Sequence, residues 1–271
     1  MSQWLKSHAH EHGYRNLVFV MANTGQENEQ TLEFADRCDR HFGLDLHYVE
    51  AVVHHNQRKS STHMEVGIRA AARNGEPFEQ MIRKYGIPNK AFPHCTRELK
   101  ENPIRSFGRE YFHGEKYHTA IGIRVDEIDR VSSKAKKMGL VYPLAQKEML
   151  PTSKPVINLY WDNMPFRLEL KGYEGNCMAC WKKSDLKLRR IAADHPERLR
   201  FTMAMEMLYS MVGPEFEKYE TTEARRFFRG KRSAADILME ARDPELLREI
   251  EDDSQIMPDE ACEVFSMCGD D

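Results

Sequence analysis

Asn16-Leu17-Val18-Phe19-Val20-Met21, followed at once by Ala22-Asn23-Thr24-Gly25-Gln26-Glu27, is the stretch on which the fold turns. Residues 16–21 form a short continuous apolar run, the pattern of a buried strand, and Asn23-Thr24-Gly25 are turn formers that end it. Residues 27–42 then read as a helix with Leu32, Ala35, Cys38 and Phe42 on one face, and Gly43 stops it. Residues 46–53 (LHYVEAVV) read as the next strand. Strand, helix and strand at this spacing predict an α/β fold with a parallel sheet and right-handed crossovers.

Further along, the polar stretch 54–63 reads as a loop, and helical segments are expected near 64–85 and 96–112. Residues 118–123 (HTAIGI) make another apolar strand that opens onto the charged segment RVDEIDR, and 141–144 (VYPL) make a last one. After residue 184 the character changes to helical segments at 185–212 and 220–242, rich in Leu, Ile, Met and Phe at helical spacing with flanking Arg and Lys. This divides the chain into an α/β part, 1–184, and a helical C-terminal part, 185–271. The final residues, 243–271, carry eleven acidic side chains against one basic, Arg248, and so predict an exposed tail, yet that tail holds two cysteines.

The 271 residues, 41% hydrophobic and 31% charged, suit one globular unit with a helical appendage. A net charge of −3 supplies no global basic field for duplex nucleic acid. The basic helices of 185–242 could still contact a nucleic acid or a partner protein, the plainer reading being a packed helical lid. No stretch approaches the roughly 20 apolar residues that cross a bilayer, and the N-terminus, MSQWLKSHAHEHGYRN, lacks the apolar core of a secretory signal. A cytoplasmic location is therefore expected. In that reducing compartment the six cysteines predict metal binding or redox chemistry rather than a disulfide framework.

Three constellations carry chemistry. Ala22–Glu27 sits at the carboxyl end of the first strand, where open α/β sheets bind ligands, although taken alone a turn with a helix cap is the plainer reading. Gly122-Ile123-Arg124-Val125-Asp126-Glu127-Ile128-Asp129-Arg130 follows another strand, and its two guanidinium groups match sulfate or phosphate oxygens. A salt-bridged surface loop is the plainer alternative. Cys95 and the Cys177-Met178-Ala179-Cys180 pair form the third, because thiolates at CxxC spacing grip one metal and a distant cysteine adds closure. The adjoining Trp181-Lys182-Lys183 would lower thiolate pKa and offset cluster charge. The buried apolar cysteine of an ordinary core fits Cys38 best. The histidines His8, His10, His12, His54 and His55 read as solvated surface, and Met203, Met205, Met207 and Met211 as helix packing.

In order along residues 22–184, these pieces resemble the phosphoadenosine phosphosulfate (PAPS) reductase-like members of the adenine-nucleotide α-hydrolase superfamily. Asn23-Thr24-Gly25 with Glu27 is similar to the family's Asp-Thr-Gly loop and following acid. Cys95-Thr96-Arg97-Glu98-Leu99-Lys100-Glu101-Asn102-Pro103 resembles its cysteine, basic and proline segment, and Gly122-Ile123-Arg124 through Arg130 its anion-cradling motif. Cys177–Cys180 with Lys182 and Lys183 resembles the CxxC-plus-basic element that holds a [4Fe–4S] cluster in iron–sulfur members, among them adenylylsulfate reductases and DNA-phosphorothioation enzymes. The resemblance implies a Rossmann-like parallel sheet sandwiched by helices, with a helical C-terminal extension. It also implies catalytic roles for Arg124, Arg130 and Lys100, and nucleotide contacts from Asn23, Thr24, Gly25, Glu27, Gly122, Ile123 and Arg124. Metal ligation falls to Cys95, Cys177, Cys180 and Cys262.

The departures are specific. The family's Ser-Gly-Gly phosphate loop is missing, the chain contains no Gly-Gly, and it starts with the helix expected after that loop. The loop would then be encoded upstream, come from another chain, or be lost together with much of the stabilisation of the transferred group. His94-Cys95 replaces a Cys-Cys pair, which leaves Cys262, Cys268, His94 or an exogenous group as fourth ligand. Cys262 is favoured because Ala261–Phe265 is an apolar patch in an acidic tail. The family's C-terminal redox-active cysteine motif is also absent. The implied functions are sulfonucleotide reduction or ATP-dependent adenylation coupled to sulfur transfer, on ATP, adenylylsulfate or PAPS, with a redox or sulfur-donor protein as partner and a homo-oligomer left open. The alternatives are a degenerate nucleotide-binding or regulatory module that keeps the metal site as structure, and a structural zinc site.

Overall fold

The structure, a computed structural model, describes residues 1–175, 177–216 and 222–247. Cys262 and Cys268 lie outside them. After a short helix, α1 (Ser2–His8), the apolar run forms strand β1 (Phe19–Asn23), set closer to the turn than 16–21 so that Asn23 is itself the last strand residue. Helix α2 (Glu29–Phe42) follows and ends at Gly43, whose φ of 57° is the left-handed value that favours glycine. Strand β2 (Leu46–Val52) returns parallel to β1, in register from Phe19–Leu46 to Asn23–Glu50. The strand–helix–strand unit read from the sequence is present.

The sheet is mixed, where the sequence suggested a parallel one. Strand β3 (Thr62–Val66) pairs antiparallel to β2 and gives the order β1-β2-β3. The helix expected near 64–85 consequently starts only at α3 (Glu76–Tyr85). Polar side chains capture the intervening backbone: the buried Glu50 carboxylate accepts the Ala72 N–H at 2.6 Å, and Asn23 Nδ2 donates to Ala72 O at 2.9 Å. Groups committed in this way are withdrawn from a helical ladder.

A wide π-type turn, Arg97–Glu101, runs into α4 (Asn102–Tyr111), close to the expected 96–112. Pro103 explains the widening, since it has no N–H to donate and its ring crowds the carbonyl four residues back. Beyond it, β4 (Thr119–Ala120), α5 (Ala135–Met138) and β5 (Leu140–Val141) form a second parallel pair, shorter than the two apolar runs suggested. Helix α6 (Lys154–Asp162) closes the first part. The segment 185–212 divides into α7 (Asp185–Asp194) and α8 (Arg200–Tyr209) around His195-Pro196. Of 220–242, α9 (Ala234–Glu240) is the α-helical part among the described residues, followed by α10 (Pro244–Leu247).

The chain is thus α/β, a small sheet among many helices. One buried core runs across residue 184, joining Met81, Ile82, Cys95 and Leu99 to Leu188, Ile191, Phe227 and Ile237. Among the described residues no helix is long and apolar enough to cross a membrane. The polar loop before β3 is fixed from inside. The buried Lys84 ammonium donates to the carbonyls of His54 (2.7 Å), Gln57 (3.0 Å) and Lys59 (2.7 Å), which offsets the desolvation of a charge.

The cysteines invert the expectation from helical periodicity. Cys38 is only half-buried on α2, whereas Cys95, Cys177 and Cys180 are buried. Partial burial still pushes the Cys38 thiol up from 9.0 to about 11, against the pull of the N-terminal ammonium and Arg37. The thiolate is the reactive form, so at pH 8 Cys38 is expected to alkylate about 100-fold more slowly than an ordinary thiol. Timed iodoacetamide labelling with peptide mass spectrometry measures this, and labelling at the rate of a free thiol would contradict it.

Candidate functional site

The loop leaving β1 is built by its own side chains. Asn23 Oδ1 accepts the Gly25 N–H at 3.1 Å, a local turn that the short Asn side chain favours. Gly25 has a φ of 77°, and a Cβ there would stand 2.9 Å from Gly75 Cα, so two backbones meet at this point. The buried Glu27 carboxylate accepts the Thr24 N–H at 2.9 Å and the Thr24 hydroxyl at 2.9 and 3.0 Å. Lys100 Nζ lies 3.5 Å from the same carboxylate, brought there by the π-type turn.

A second loop, 150 residues downstream, is stitched to the first. Glu27 and Cys177 face one another in an isolated antiparallel bridge, Met178 N donates to Gln26 O at 2.8 Å, and Asn28 Nδ2 donates to Glu174 O at 2.9 Å. Cys177 Sγ lies 3.9 Å from Glu27 Oε1 and 3.7 Å from Thr24 Oγ1. The CxxC turn closes with Cys180 N donating to Cys177 O at 3.3 Å. Behind it the buried Glu174 accepts from Arg198 at 2.6 Å. Burial alone would push the Glu174 carboxyl up, but the Lys171 N–H and the Arg198 guanidinium hold it below its ordinary value.

The basic residues after the pair also brace the loop and the ring beside it. Lys183 is buried and donates to the carbonyls of Tyr173 (3.1 Å) and Gly175, so its ammonium braces the loop that carries the cysteines. Lys182 Nζ sits 5.6 Å from the Trp181 ring centroid, a cation–π distance.

These pieces surround one pocket with about 480 Å³ of empty space, counting the part open to solvent. Thr24, Lys100, Cys95, Cys177 and Cys180 line it, so five side chains singled out from three separate sequence motifs converge. Phe78, Trp181, Phe201 and Phe227 supply much of the remaining wall. Phe201 and Phe227 come from the helical C-terminal part, where the sequence reading assigned a site role to Cys262 but to neither phenylalanine. Their apolar character is indistinguishable from core in sequence, and no signal in the sequence picks them out.

The other assigned residues lie elsewhere. Asn23 and Gly25 shape the loop without lining the pocket. Ile123 belongs to a separate small core with Leu140 and Tyr142, and Gly122 precedes it in the chain. Arg124 pairs with Asp126 and Glu127, each at 3.1 Å, and Arg130 pairs with Glu127 as well. Neither arginine lines the pocket, and their pairings follow the salt-bridged reading of that loop.

Three thiols in one apolar pocket are a soft donor set, of the type that suits zinc or an iron–sulfur centre. Among the described residues no group of three or more His, Cys, Asp or Glu side chains is drawn together closely enough to hold a metal ion. The three thiols share a pocket and a soft donor type, but not the close grouping of a bound metal's ligands.

No family model matches the sequence, and no solved structure matches it. Among curated proteins the chain is similar to an uncharacterised nin region protein of Escherichia phage lambda, with 30% identity over 188 residues. That alignment takes in 68% of this chain and 62% of the phage protein, so the chain spans less than two-thirds of its relative's length.

Proposed function

We propose that this protein is a PAPS reductase-like, adenine-nucleotide-binding protein that works beside a cysteine-held iron–sulfur or zinc centre. The observation that carries this reading is the pocket. Residues 24, 95, 100, 177 and 180, selected for a nucleotide loop, a basic position and a thiolate site, line a single cavity next to the carboxyl end of a parallel strand. The parallel β1–α2–β2 unit supports a Rossmann-like core of the adenine-nucleotide α-hydrolase type. Cys95, Cys177 and Cys180 would hold the centre, which supplies Lewis acidity or a sulfur and electron relay when bound. Lys100 and Thr24, both held by Glu27 behind them, would meet the nucleotide's polar end, and the aromatic wall would exclude water.

The positions of Arg124 and Arg130 favour a second reading, a binding or regulatory module without turnover. Both guanidinium groups are neutralised by Asp126 and Glu127 outside the pocket, which leaves Lys100 as the lining cation for a sulfate or phosphate. Two measurements decide between these possibilities. Anaerobic purification with iron, sulfide and zinc analysis is expected to find a metal centre, and a metal-free protein would remove it from the proposal. Calorimetry with ATP, adenylylsulfate and PAPS is expected to show binding of at least one. Binding without sulfite or pyrophosphate release would select the module, and no binding by any would overturn the nucleotide assignment.

A further inference from the structure

Cys177 and Cys180 are the first and last residues of one tight turn. Cys180 N donates to Cys177 O at 3.3 Å, and Met178 and Ala179 are the turn's central residues. A bond of that spacing closes a β-turn, in which the first and fourth Cα atoms lie within about 7 Å of one another. A disulfide joins Cα atoms about 4.4–6.8 Å apart, so the turn holds this pair at bridging range. It is fastened on both sides. Met178 N donates to Gln26 O at 2.8 Å, and Lys183 N donates to Cys180 O at 3.0 Å. Both cysteines line the pocket, part of whose space opens to solvent, whereas Cys95 reaches it from the helical stretch before α4. Among the described residues no three thiol, imidazole or carboxylate groups are gathered as metal ligands are. A sulfur–sulfur bond needs only two, and these two share a turn.

We infer that Cys177 and Cys180 are a dithiol–disulfide couple, and that the pocket carries out thiol–disulfide exchange with a low-molecular-weight disulfide. The thiolate of one cysteine attacks a sulfur of the incoming disulfide. That S–S bond breaks, and one half leaves as a thiolate that takes up the proton the attacking thiol lost. The thiolate of the second cysteine then attacks the sulfur of its neighbour's mixed disulfide. The Cys177–Cys180 bond forms, and the other half leaves as a second thiol. The pair is oxidised by two electrons with loss of two hydrogens, and the small disulfide is reduced to two thiols. Phe78, Trp181, Phe201 and Phe227 give the substrate's carbon chains an apolar wall. The inference does not rest on the proposed metal centre. A metal and a disulfide compete for the same two sulfurs, because ligation takes the thiolate that exchange also uses.

The test uses the wild-type protein, reduced and then treated with a chelator, and hydroxyethyl disulfide as the oxidant. Remaining thiols are blocked with iodoacetamide, and trypsin releases residues 172–182, one peptide that carries both cysteines between Lys171 and Lys182. That peptide is expected two hydrogens lighter and without alkylation, and dithiothreitol should restore both alkylation sites. Mercaptoethanol release supplies a second readout. Cys180→Ser should stop at a mixed disulfide on Cys177 and release half as much thiol per chain as the wild type. A wild-type peptide alkylated at both cysteines, carrying a separate mixed disulfide on each, or linked through either one to Cys95 would overturn the inference. Zinc uptake by a protein whose pair stays reduced in the metal-free form would also overturn it, and would leave the proposed centre standing. A pair that oxidises in a protein that takes up no metal would uphold the couple and remove the centre.

Discussion

Gly75→Ala is expected to lower stability by about 3 kcal/mol, from a left-handed backbone and a crowded Cβ acting together. Gly75 has a φ of 85°, and an added Cβ would stand 2.4 Å from Phe201 Cε2 and 2.8 Å from Gln26 Nε2. Real Cβ atoms do not approach so closely, so Phe201 or the Gln26 loop must move. Either motion disturbs the pocket, since both residues line it. In a chain of this size the loss corresponds to a melting point lower by roughly 6–12 °C. Gly114 provides the control. It has nearly the same backbone, φ 81°, with nothing within 4 Å of its Cβ position, so Gly114→Ala carries only the conformational part, about 1 kcal/mol. Differential scanning calorimetry on the two variants separates the terms. If both melt at the same temperature, the close approach of the Gln26 loop to α3 and α8 is not as described.

That same glycine shows why only part of the architecture can be read from residues in order. The β1–α2–β2 unit was legible because each piece has its own local signal: an apolar run, a helical face and a left-handed stop at Gly43. Strand β3 was not, because 62–66 gains its identity from pairing with β2 and the segment after it from Glu50 and Asn23, partners remote in sequence. The site divides in the same way. Thr24, Lys100 and the three cysteines stand out by residue type and spacing. The Gly25–Gly75 contact, the Lys183 brace and the walls made by Phe201 and Phe227 arise from tertiary packing, which a single sequence does not encode locally. Arg124 and Arg130 show the converse: of the two readings the sequence left for that loop, anion cradle or salt-bridged surface, the structure displays the ion pairs with neighbouring carboxylates.

Cys177→Ser is expected to abolish stable metal loading while leaving the fold of the metal-free chain intact. Cys177 Sγ lies within sulfur hydrogen-bond reach of Glu27 and Thr24. A serine hydroxyl can make those contacts, so the two loops should stay joined through the backbone bond from Met178 N to Gln26 O. What serine cannot supply is a soft thiolate. Metal affinity should fall by more than the roughly 10–100-fold typical of outer-shell changes, taking the content after gel filtration from near stoichiometric to a trace. A second readout follows from linkage. A metal that binds only the folded state stabilises it by about 4 kcal/mol when present at ~1,000 times its dissociation constant. Chelation should therefore lower the wild-type melting point and leave that of Cys177→Ser unmoved. Cys38→Ser is the matched control, because Cys38 sits half-buried on α2 and does not line the pocket. Loading of Cys177→Ser to wild-type levels, or an equal loss in Cys38→Ser, would remove Cys177 from the ligand set. Loss confined to the pocket variant, with an unchanged metal-free melt, would establish Cys177 as a metal ligand.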